Sequence, residues 1–462
     1  MNRVHALART LHRTPCTLAD LGRGLSLAVG HDESMSESPF IDVLPRARQD
    51  FRDRHVESYR RHLAAAEVMP GGNTRTVLHH PPFPLTFVSG QGSQLTDADG
   101  HTYVDFLGDY TAGLLGHSEA RSLDAAFAAL RSNSSVGGHH PDEERLARLM
   151  CKRFLVDRVR FTNSGTEANL MAITAARIFT GRPTIVVMEH GYHGGVLYFG
   201  AEAAPWSVPY PYVMARFNDL DSVRAQLHGH ADDVAAVIVE PMMGGAGCLP
   251  PEPGFLAGVV ETAHQIGALA IFDEVMTSRH GPHGLADIHG ASPDLKTFGK
   301  YIAAGFSFGA FGGTAEIMAM FDPTSASPVS HAGTFNNNVA SMAAGVTVLS
   351  DLFTSDIASA HTSRGEEFRA EVAGVLARRS LPLVVCGYGS MMTIIARAEL
   401  PRDGTAAADR DSALQELVHL GLTRRGFHIA ARGMVNLSLP LTDDDLAGFL
   451  NALDDTCAEL AG

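Results

Sequence analysis

The sequence predicts an α/β protein with a large domain, in which helices flank a mostly parallel sheet, and a smaller α+β domain. Three short apolar runs support the parallel sheet: TIVVME at 184–189, VAAVIVEPM at 234–242 and ALAIFDEV at 268–275. Helical stretches separate these runs, as expected for buried parallel strands joined by crossover helices. Short strands alternate with helices near both chain ends, so we expect the two ends together to build the smaller domain.

Residues 1–44 are rich in Arg, His and Ser and show weak periodicity. They indicate a disordered extension, a transit-like segment or an upstream start with Met35 as the true initiator, and they are left out of the predicted fold. The pattern over 46–72 predicts one amphipathic helix that ends at Pro70. Residues 85–106 indicate short strands around an Asp-Gly turn. We expect residues 45–100 and 353–462 to form the smaller domain and residues 101–352 the large one.

The chain has 462 residues, 45% of them hydrophobic, and a formal net charge of -15. This acidic balance disfavours nucleic acid and anionic membranes as partners, because long-range repulsion opposes both. No apolar run approaches the ~20 residues of a membrane-spanning helix. The cysteines are few, odd in number and far apart, which indicates neither a disulfide framework nor a paired metal motif. A reducing cytoplasm fits this pattern best. The cysteines are Cys16, Cys151, Cys248, Cys386 and Cys457.

A candidate anion site lies in FTNSGTEAN, where Asn163, Ser164, Gly165 and Thr166 precede a helix with an apolar face. Free backbone N–H groups at a helix N-terminus, two hydroxyls and a glycine suit a phosphate group. An ordinary helix N-cap at Ser164 would produce the same pattern.

The stretch EHGYHGG at 189–195 begins at the end of the first predicted strand. Parallel sheets place ligands at such strand ends, and Tyr192, beside His193, can stack on a flat ring. A glycine-rich surface turn would look the same. The histidines lack HExxH or paired-cysteine spacing, so we expect no metal site.

Two charged residues, Asp273 and Lys300, stand in apolar surroundings 27 residues apart. The acid pair at 273–274 is similar to a Walker B element, but the chain has no GxxxxGK[ST] loop and no GxGxxG motif. Asp273 is better interpreted as a buried carboxylate that needs a cation. A crowded lysine loses its proton more readily and becomes a nucleophile, although a strand-end lysine that reaches water is the alternative.

Taken in order, NSGTEAN, GYHGG, VEPM, FDEVMTSR, LKTFGK and GTFNNN resemble the class III, fold type I, pyridoxal-phosphate-dependent aminotransferases. The resemblance extends from about Arg48 to the C-terminus. It is nearest to the β-phenylalanine aminotransferase group, with the glutamate-1-semialdehyde aminomutases as a related group. It implies pyridoxal 5'-phosphate as the cofactor and a homodimer whose cofactor sites lie at the subunit interface.

The resemblance also assigns a role to the residues of these motifs. Lys300 would form a Schiff base with the cofactor and move a proton, and Asp273 would pair with the pyridinium nitrogen. Val275, two residues further along the same predicted strand, would pack on one ring face and Tyr192 on the other. The remaining cofactor-binding residues that the resemblance implies are Ser164, Gly165, Thr166, His193, Glu240 and, reaching the phosphate of the neighbouring subunit, Thr334.

Two arginines bear on the substrate, Arg75 in PGGNTR and Arg432 in the RG that precedes LSLPLTD. Each could be an ordinary surface arginine, but bidentate guanidinium pairing is the natural anchor for a carboxylate. The resemblance implies that Arg75 holds the carboxylate of a β-amino acid and that a movable Arg432 holds 2-oxoglutarate or pyruvate. An aminomutase, an ω-amino or amine transaminase of other specificity, and a non-catalytic protein with this fold are the alternatives. The apolar segments 109–117 and 306–313 are candidate pocket walls, which favours an aromatic or aliphatic substituent.

Overall fold

A computed structural model describes residues 38–134 and 137–462, and all structural statements below concern these residues. Most of the predicted N-terminal extension, residues 1–37, lies outside the described residues. The short segment that precedes the first helix packs on the protein, since the Ser38 hydroxyl donates to Asp411 and Phe40 lies against the core. Within the described ranges, no helix has the length and apolar character needed to cross a membrane.

The described residues form three β-sheets. Their strands are β1 Phe87–Gln91, β2 Gln94–Asp97, β3 Thr102–Asp105, β4 Arg158–Thr162, β5 Thr184–Met188, β6 Tyr212–Ala215, β7 Val234–Val239, β8 Leu269–Asp273, β9 Leu295–Gly299, β10 Gly309–Gly313, β11 Val384–Tyr388, β12 Met391–Ile395, β13 Phe427–His428 and β14 Met434–Asn436.

Helices connect and cover these sheets. They are α1 Leu44–Arg54, α2 Val56–Ala66, α3 Ala120–Asn133, α4 Pro141–Phe154, α5 Gly165–Thr180, α6 Leu220–Gly229, α7 Phe255–Gln265, α8 Leu285–Ile288, α9 Ala315–Met318, α10 Val339–Thr347, α11 Ser355–Ala377, α12 Gly404–Ala408, α13 Ser412–Arg424 and α14 Asp443–Ala461.

The largest sheet has seven strands in the order β4-β10-β9-β8-β7-β5-β6, in which β10 runs in the direction opposite to the other six. The three apolar runs become β5, β7 and β8, which pair in parallel, so this prediction is confirmed. Successive side chains of a strand point to opposite faces. Accordingly, Val237 and Phe272 pack with α7 on one face, while Ile238 and Ile271 pack with α5 on the other.

The two ends of the chain meet in the four-stranded sheet, in which β13 pairs in parallel with β3. The predicted Asp-Gly turn, Asp99-Gly100, connects β2 to β3 and is confirmed. A third, antiparallel sheet contains β11, β12 and β14. The domain boundaries predicted at residues 100 and 352 stay a prediction.

The single helix predicted over 46–72 is wrong, because two helices, α1 and α2, meet at His55. The backbone of His55 has φ -123° and ψ 51°, outside the helical region. The buried His55 ring binds the Phe51 carbonyl through Nδ1, and the Asp99 carboxylate accepts from the amides of Glu57 and Ser58 at the start of α2. A cap that comes from a distant turn is not visible in local periodicity.

Candidate active site

The predicted site residues gather at one edge of the seven-stranded sheet. Strand β4 leads into Ser164, β5 into the loop with Tyr192, β8 ends in Asp273 and β9 leads into Lys300. These four strands run in the same direction, so their carboxyl ends face the same side. The sheet thereby brings together residues that are distant in the sequence, since Ser164 and Lys300 are 136 positions apart.

Asp273 is a buried carboxylate, 5% exposed, that is surrounded by polar side chains and a backbone amide. Its Oδ2 accepts from Asn169 Nδ2 at 2.7 Å and lies 2.9 Å from His193 Nδ1. Its Oδ1 accepts from the Val275 amide at 3.1 Å. Across residues 38–134 and 137–462, no lysine or arginine forms an ion pair with it. Because a buried carboxylate is costly without a compensating charge, this group suits a positively charged ring nitrogen.

Sequence reasoning missed two residues that position Asp273. Asn169 bonds Asp273 through its amide nitrogen, and its Oδ1 accepts from Thr297 Oγ1 at 2.6 Å. Thr297 itself lies 3.4 Å from Asp273 Oδ1. Asn169 was present in the NSGTEAN motif, on the first turns of α5, but its partners come from β8 and β9 and only the sheet order shows them.

Lys300 directly follows β9 and has φ 55°, a backbone conformation that residues other than glycine rarely adopt. Its Nζ donates to the Tyr110 carbonyl at 2.6 Å. Burial lowers the pKa of Lys300 to about 8, an effect that Asp109 opposes and Arg432 reinforces. A larger neutral fraction near pH 8 is what a nucleophilic amine requires.

The candidate phosphate site is the N-terminus of α5. The Ser164 hydroxyl accepts from the Glu167 amide at 3.2 Å, so Ser164 is indeed the N-cap. The amides of Gly165 and Thr166 lie in the first helical turn, where N–H groups have no intrahelical partner. The Thr166 hydroxyl accepts from the Gly195 amide at 3.3 Å and thereby ties the cap to the loop that carries Tyr192. The cap and phosphate interpretations are therefore compatible.

Val275 lies beyond the strand, because β8 ends at Asp273, so its predicted position within the strand is wrong. It nevertheless packs at the site. A Cβ added to Gly165 would lie 2.8 Å from Val275 Cγ2, and one added to Gly299 would lie 3.3 Å from Val275 Cγ1. Val275 therefore fills the space between the helix cap and the backbone that precedes Lys300.

The loop that carries Tyr192 and His193 is held by Glu240. Both oxygens of this 5%-exposed carboxylate accept backbone protons, from Tyr192 and from Gly244, each at 3.0 Å. Burial raises the pKa of Glu240 to about 7. Glu240 thus contacts the loop rather than projecting freely, while the Tyr192 side chain stays 44% exposed and available to a ligand.

The two predicted substrate arginines meet at Tyr110. The guanidinium carbons of Arg75 and Arg432 lie 5.6 and 5.2 Å from the centroid of its ring. The Tyr110 hydroxyl donates to the Val77 carbonyl, and its own carbonyl accepts from Lys300. Tyr110 lies within the segment predicted as a pocket wall, but its position between both arginines and Lys300 follows only from the tertiary structure.

Two further predicted features lie outside this cluster. Thr334 is exposed in the loop between Phe321 and α10, and its predicted contact with a neighbouring subunit stays a prediction. The second predicted wall, 306–313, contains the fully buried strand β10. Gly309 of this strand packs against the Ser164 carbonyl, so β10 contacts the N-cap of α5.

The residues present fit pyridoxal phosphate. The first turn of α5 offers backbone N–H groups to a phosphate, and Asp273 offers a buried negative charge to a protonated ring nitrogen. Lys300 offers an amine with a lowered pKa to an aldehyde. The glycines at 165 and 299 keep the space beside Val275 free of further side chains.

Known proteins with similar sequences and structures agree with this arrangement. The class III aminotransferase family model matches residues 77–457. The chain is 47% identical to a β-phenylalanine transaminase of Variovorax paradoxus, over 91% of this chain and 96% of that protein. A glutamate-1-semialdehyde 2,1-aminomutase of Thermoplasma acidophilum is 34% identical, over 86% of this chain and 97% of that protein. A crystal structure of a β-phenylalanine aminotransferase from Variovorax paradoxus matches with a TM-score of 0.89 and 46% identity, over 91% of this chain and 98% of that one. The chain therefore belongs to the class III aminotransferases, and it is a pyridoxal-phosphate-dependent enzyme of fold type I.

Proposed function

We propose that this enzyme transfers the amino group of a β-amino acid, with an aromatic or aliphatic substituent, to 2-oxoglutarate or pyruvate. The observation that carries the proposal is the pair of guanidinium groups, Arg75 and Arg432, against the Tyr110 ring. Tyr110 is also the residue whose carbonyl binds Lys300. The similarity to a β-phenylalanine transaminase supports the same assignment.

The geometry of the two substrates explains why two arginines are useful. The reacting nitrogen must lie beside Lys300 in both half-reactions. In a β-amino acid the carboxylate is one bond further from this nitrogen than in an α-amino acid. The same arginine cannot pair both carboxylates in the same pose, because bidentate pairing has a fixed geometry. We assign Arg75 to the β-amino acid and Arg432 to the α-keto acid.

Each of the other residues has one task in this reaction. Bound pyridoxal phosphate supplies an electron sink for the carbon that loses its proton. Lys300 Nζ accepts and returns this proton, and its low pKa keeps the amine neutral part of the time. Asp273 would hold a proton on the ring nitrogen of the bound cofactor, and Asn169 with His193 fixes its carboxylate. Val275 and Tyr192 line the space for the cofactor ring.

The proposal extends to the assembly and the location of the enzyme. We assign the exposed Thr334 to the phosphate of a partner subunit in a homodimer, and dimerisation is measurable by light scattering. The cysteines Cys151, Cys248, Cys386 and Cys457 are free thiols, which supports a reducing compartment and thus a cytoplasmic location.

The test is amine transfer between defined substrates. Purified holoenzyme is incubated with β-phenylalanine and 2-oxoglutarate, and glutamate is measured. We expect stoichiometric glutamate and slow appearance of a methyl ketone, because the β-keto acid product loses carbon dioxide. An aminomutase would instead convert glutamate-1-semialdehyde without any added acceptor. Activity with that compound and none with β-phenylalanine would refute the proposal.

A further inference from the structure

The two substrate arginines differ in what already holds them. Arg75 Nη1 forms an ion pair with Asp109 Oδ1 at 2.7 Å. Arg432 Nη2 instead contacts Met434 Sδ at 3.4 Å, and within the described ranges it has no carboxylate partner. A carboxylate of the protein therefore occupies the guanidinium assigned to the β-amino acid, whereas the guanidinium assigned to the keto acid has none.

The backbone fixes this pairing in place. Residues 108–111 all have φ between 43° and 79°, including Asp109 at 43° and Tyr110 at 53°. Such a run is strained for residues other than glycine and is retained where the surrounding structure demands it. It directs the Tyr110 carbonyl to Lys300 and its ring to both arginines, with the Asp109 carboxylate next to them.

We propose that Asp109 is an internal competitor for the substrate carboxylate at Arg75, and thus a residue that sets the affinity of the amino-donor site. The Asp109 carboxylate neutralises Arg75 in the absence of substrate and must be displaced when the β-amino acid binds. This inference rests on the proposed assignment of Arg75 to the donor carboxylate.

The exposure of the pair makes the exchange feasible. The side chains of Arg75 and Asp109 are 47% and 54% exposed, and ion pairs in contact with water contribute little to stability. Among the described residues, Asp109 engages one nitrogen of Arg75, whereas a substrate carboxylate that pairs with two nitrogens makes the stronger contact. The competition lowers the affinity for every amino donor by the strength of the Asp109 contact with Arg75. Binding of the keto acid at Arg432 is unaffected.

The decisive variant is Asp109→Asn, which keeps the size of the side chain and tolerates positive φ. Calorimetric titration of the holoenzyme with 3-phenylpropanoate, a carboxylate without an amine, measures binding without turnover. We expect the Asn variant to bind this probe about two- to fivefold more tightly than wild type, the range expected for an exposed ion pair. The KM for β-phenylalanine should fall by a similar factor and the KM for 2-oxoglutarate should not change.

The matched control is Asp221→Asn, which removes the exposed ion pair of Asp221 with Arg224 on α6 and should change neither constant. Unchanged or weaker binding of 3-phenylpropanoate by Asp109→Asn would overturn the inference, and weaker binding would show that Asp109 positions Arg75 instead. Wild-type enzyme that binds 3-phenylpropanoate but does not convert β-phenylalanine refutes the proposed function. In that case the ratio of the binding constants of wild type and Asp109→Asn for 3-phenylpropanoate still decides the role of Asp109.

Discussion

Replacing each substrate arginine with alanine should separate the two half-reactions. Arg75→Ala removes the guanidinium assigned to the β-amino acid, and Arg432→Ala removes the one assigned to the keto acid. Both side chains lie against Tyr110, so neither change requires the backbone to move. We expect Arg75→Ala to impair only the reaction with the amino donor and Arg432→Ala only the reaction with the acceptor.

The structure sets different magnitudes for the two variants. A hydrogen bond to a charged group contributes ~1.5–3 kcal/mol. The Arg75 side chain is 47% exposed and already paired, so water and Asp109 reduce its contribution to about 1–2 kcal/mol. This corresponds to about a 5- to 30-fold higher KM for the donor. Arg432 is less exposed and has no carboxylate partner among the described residues, so its loss should cost ~2–4 kcal/mol, or about a 30- to 1000-fold higher KM for the keto acid.

Stopped-flow absorbance of the bound cofactor follows each half-reaction separately. The enzyme is first mixed with β-phenylalanine alone, and the amino form is then mixed with 2-oxoglutarate alone. The concentration dependence of each rate gives the apparent binding constant for one substrate. Equal impairment of both half-reactions in both variants would contradict the division of labour and indicate a single shared carboxylate site.

Further predictions concern the cofactor residues. Lys300→Ala should abolish transamination while leaving the fold intact by circular dichroism; normal turnover without added amine would exclude Lys300 as the reacting amine. The chain carries three lysines, Lys152, Lys296 and Lys300, so mass spectrometry can follow labelling of each in the cofactor-free protein. Labelling of Lys300 should rise with a midpoint near pH 8, because burial favours its neutral form, whereas a midpoint above pH 10 would contradict the lowered pKa. Asp273→Asn should weaken cofactor retention on dialysis and slow proton abstraction, because a neutral amide cannot compensate a charged ring nitrogen. Its control is Glu274→Gln, since Glu274 binds Thr277 and the start of α8 and should not affect retention.

Local sequence patterns were sufficient for three strands of the seven-stranded sheet, β5, β7 and β8. The apolar runs of β5, β7 and β8 are short and continuous because both faces of the central sheet are covered by helices. Polar residues that follow such runs lie at the carboxyl edge, which places Asp273 there. That Lys300 belongs to the same site was implied only by the resemblance to the family. The signal is readable because a strand buried on both faces leaves an unbroken apolar run that ends where the chain leaves the sheet.

Contacts between distant segments were not readable in the same way. The break at His55 depends on the Asp99 carboxylate, which caps α2 from the turn between two strands. The position of Val275 depended on where β8 ends, and the strand ended two residues earlier than its pattern suggested. At His55 the cap of the next helix is supplied by another element, whereas the Val275 amide after β8 binds the Asp273 side chain two residues earlier; apolar periodicity contains neither contact.

The sequence by itself therefore determined the class of chemistry, because six motifs, which include the helix start at Ser164, Asp273 and Lys300, resemble those of one enzyme family in the same order. Only the tertiary structure decided how these groups are supported and what the substrate meets. Asn169 reaches Asp273 because α5 packs on β8 and β9, and Tyr110 lies between Arg75, Arg432 and Lys300 because four separate segments converge there. The physical reason is that hydrogen bonds and ion pairs act over a few ångströms in space, whatever the separation along the chain.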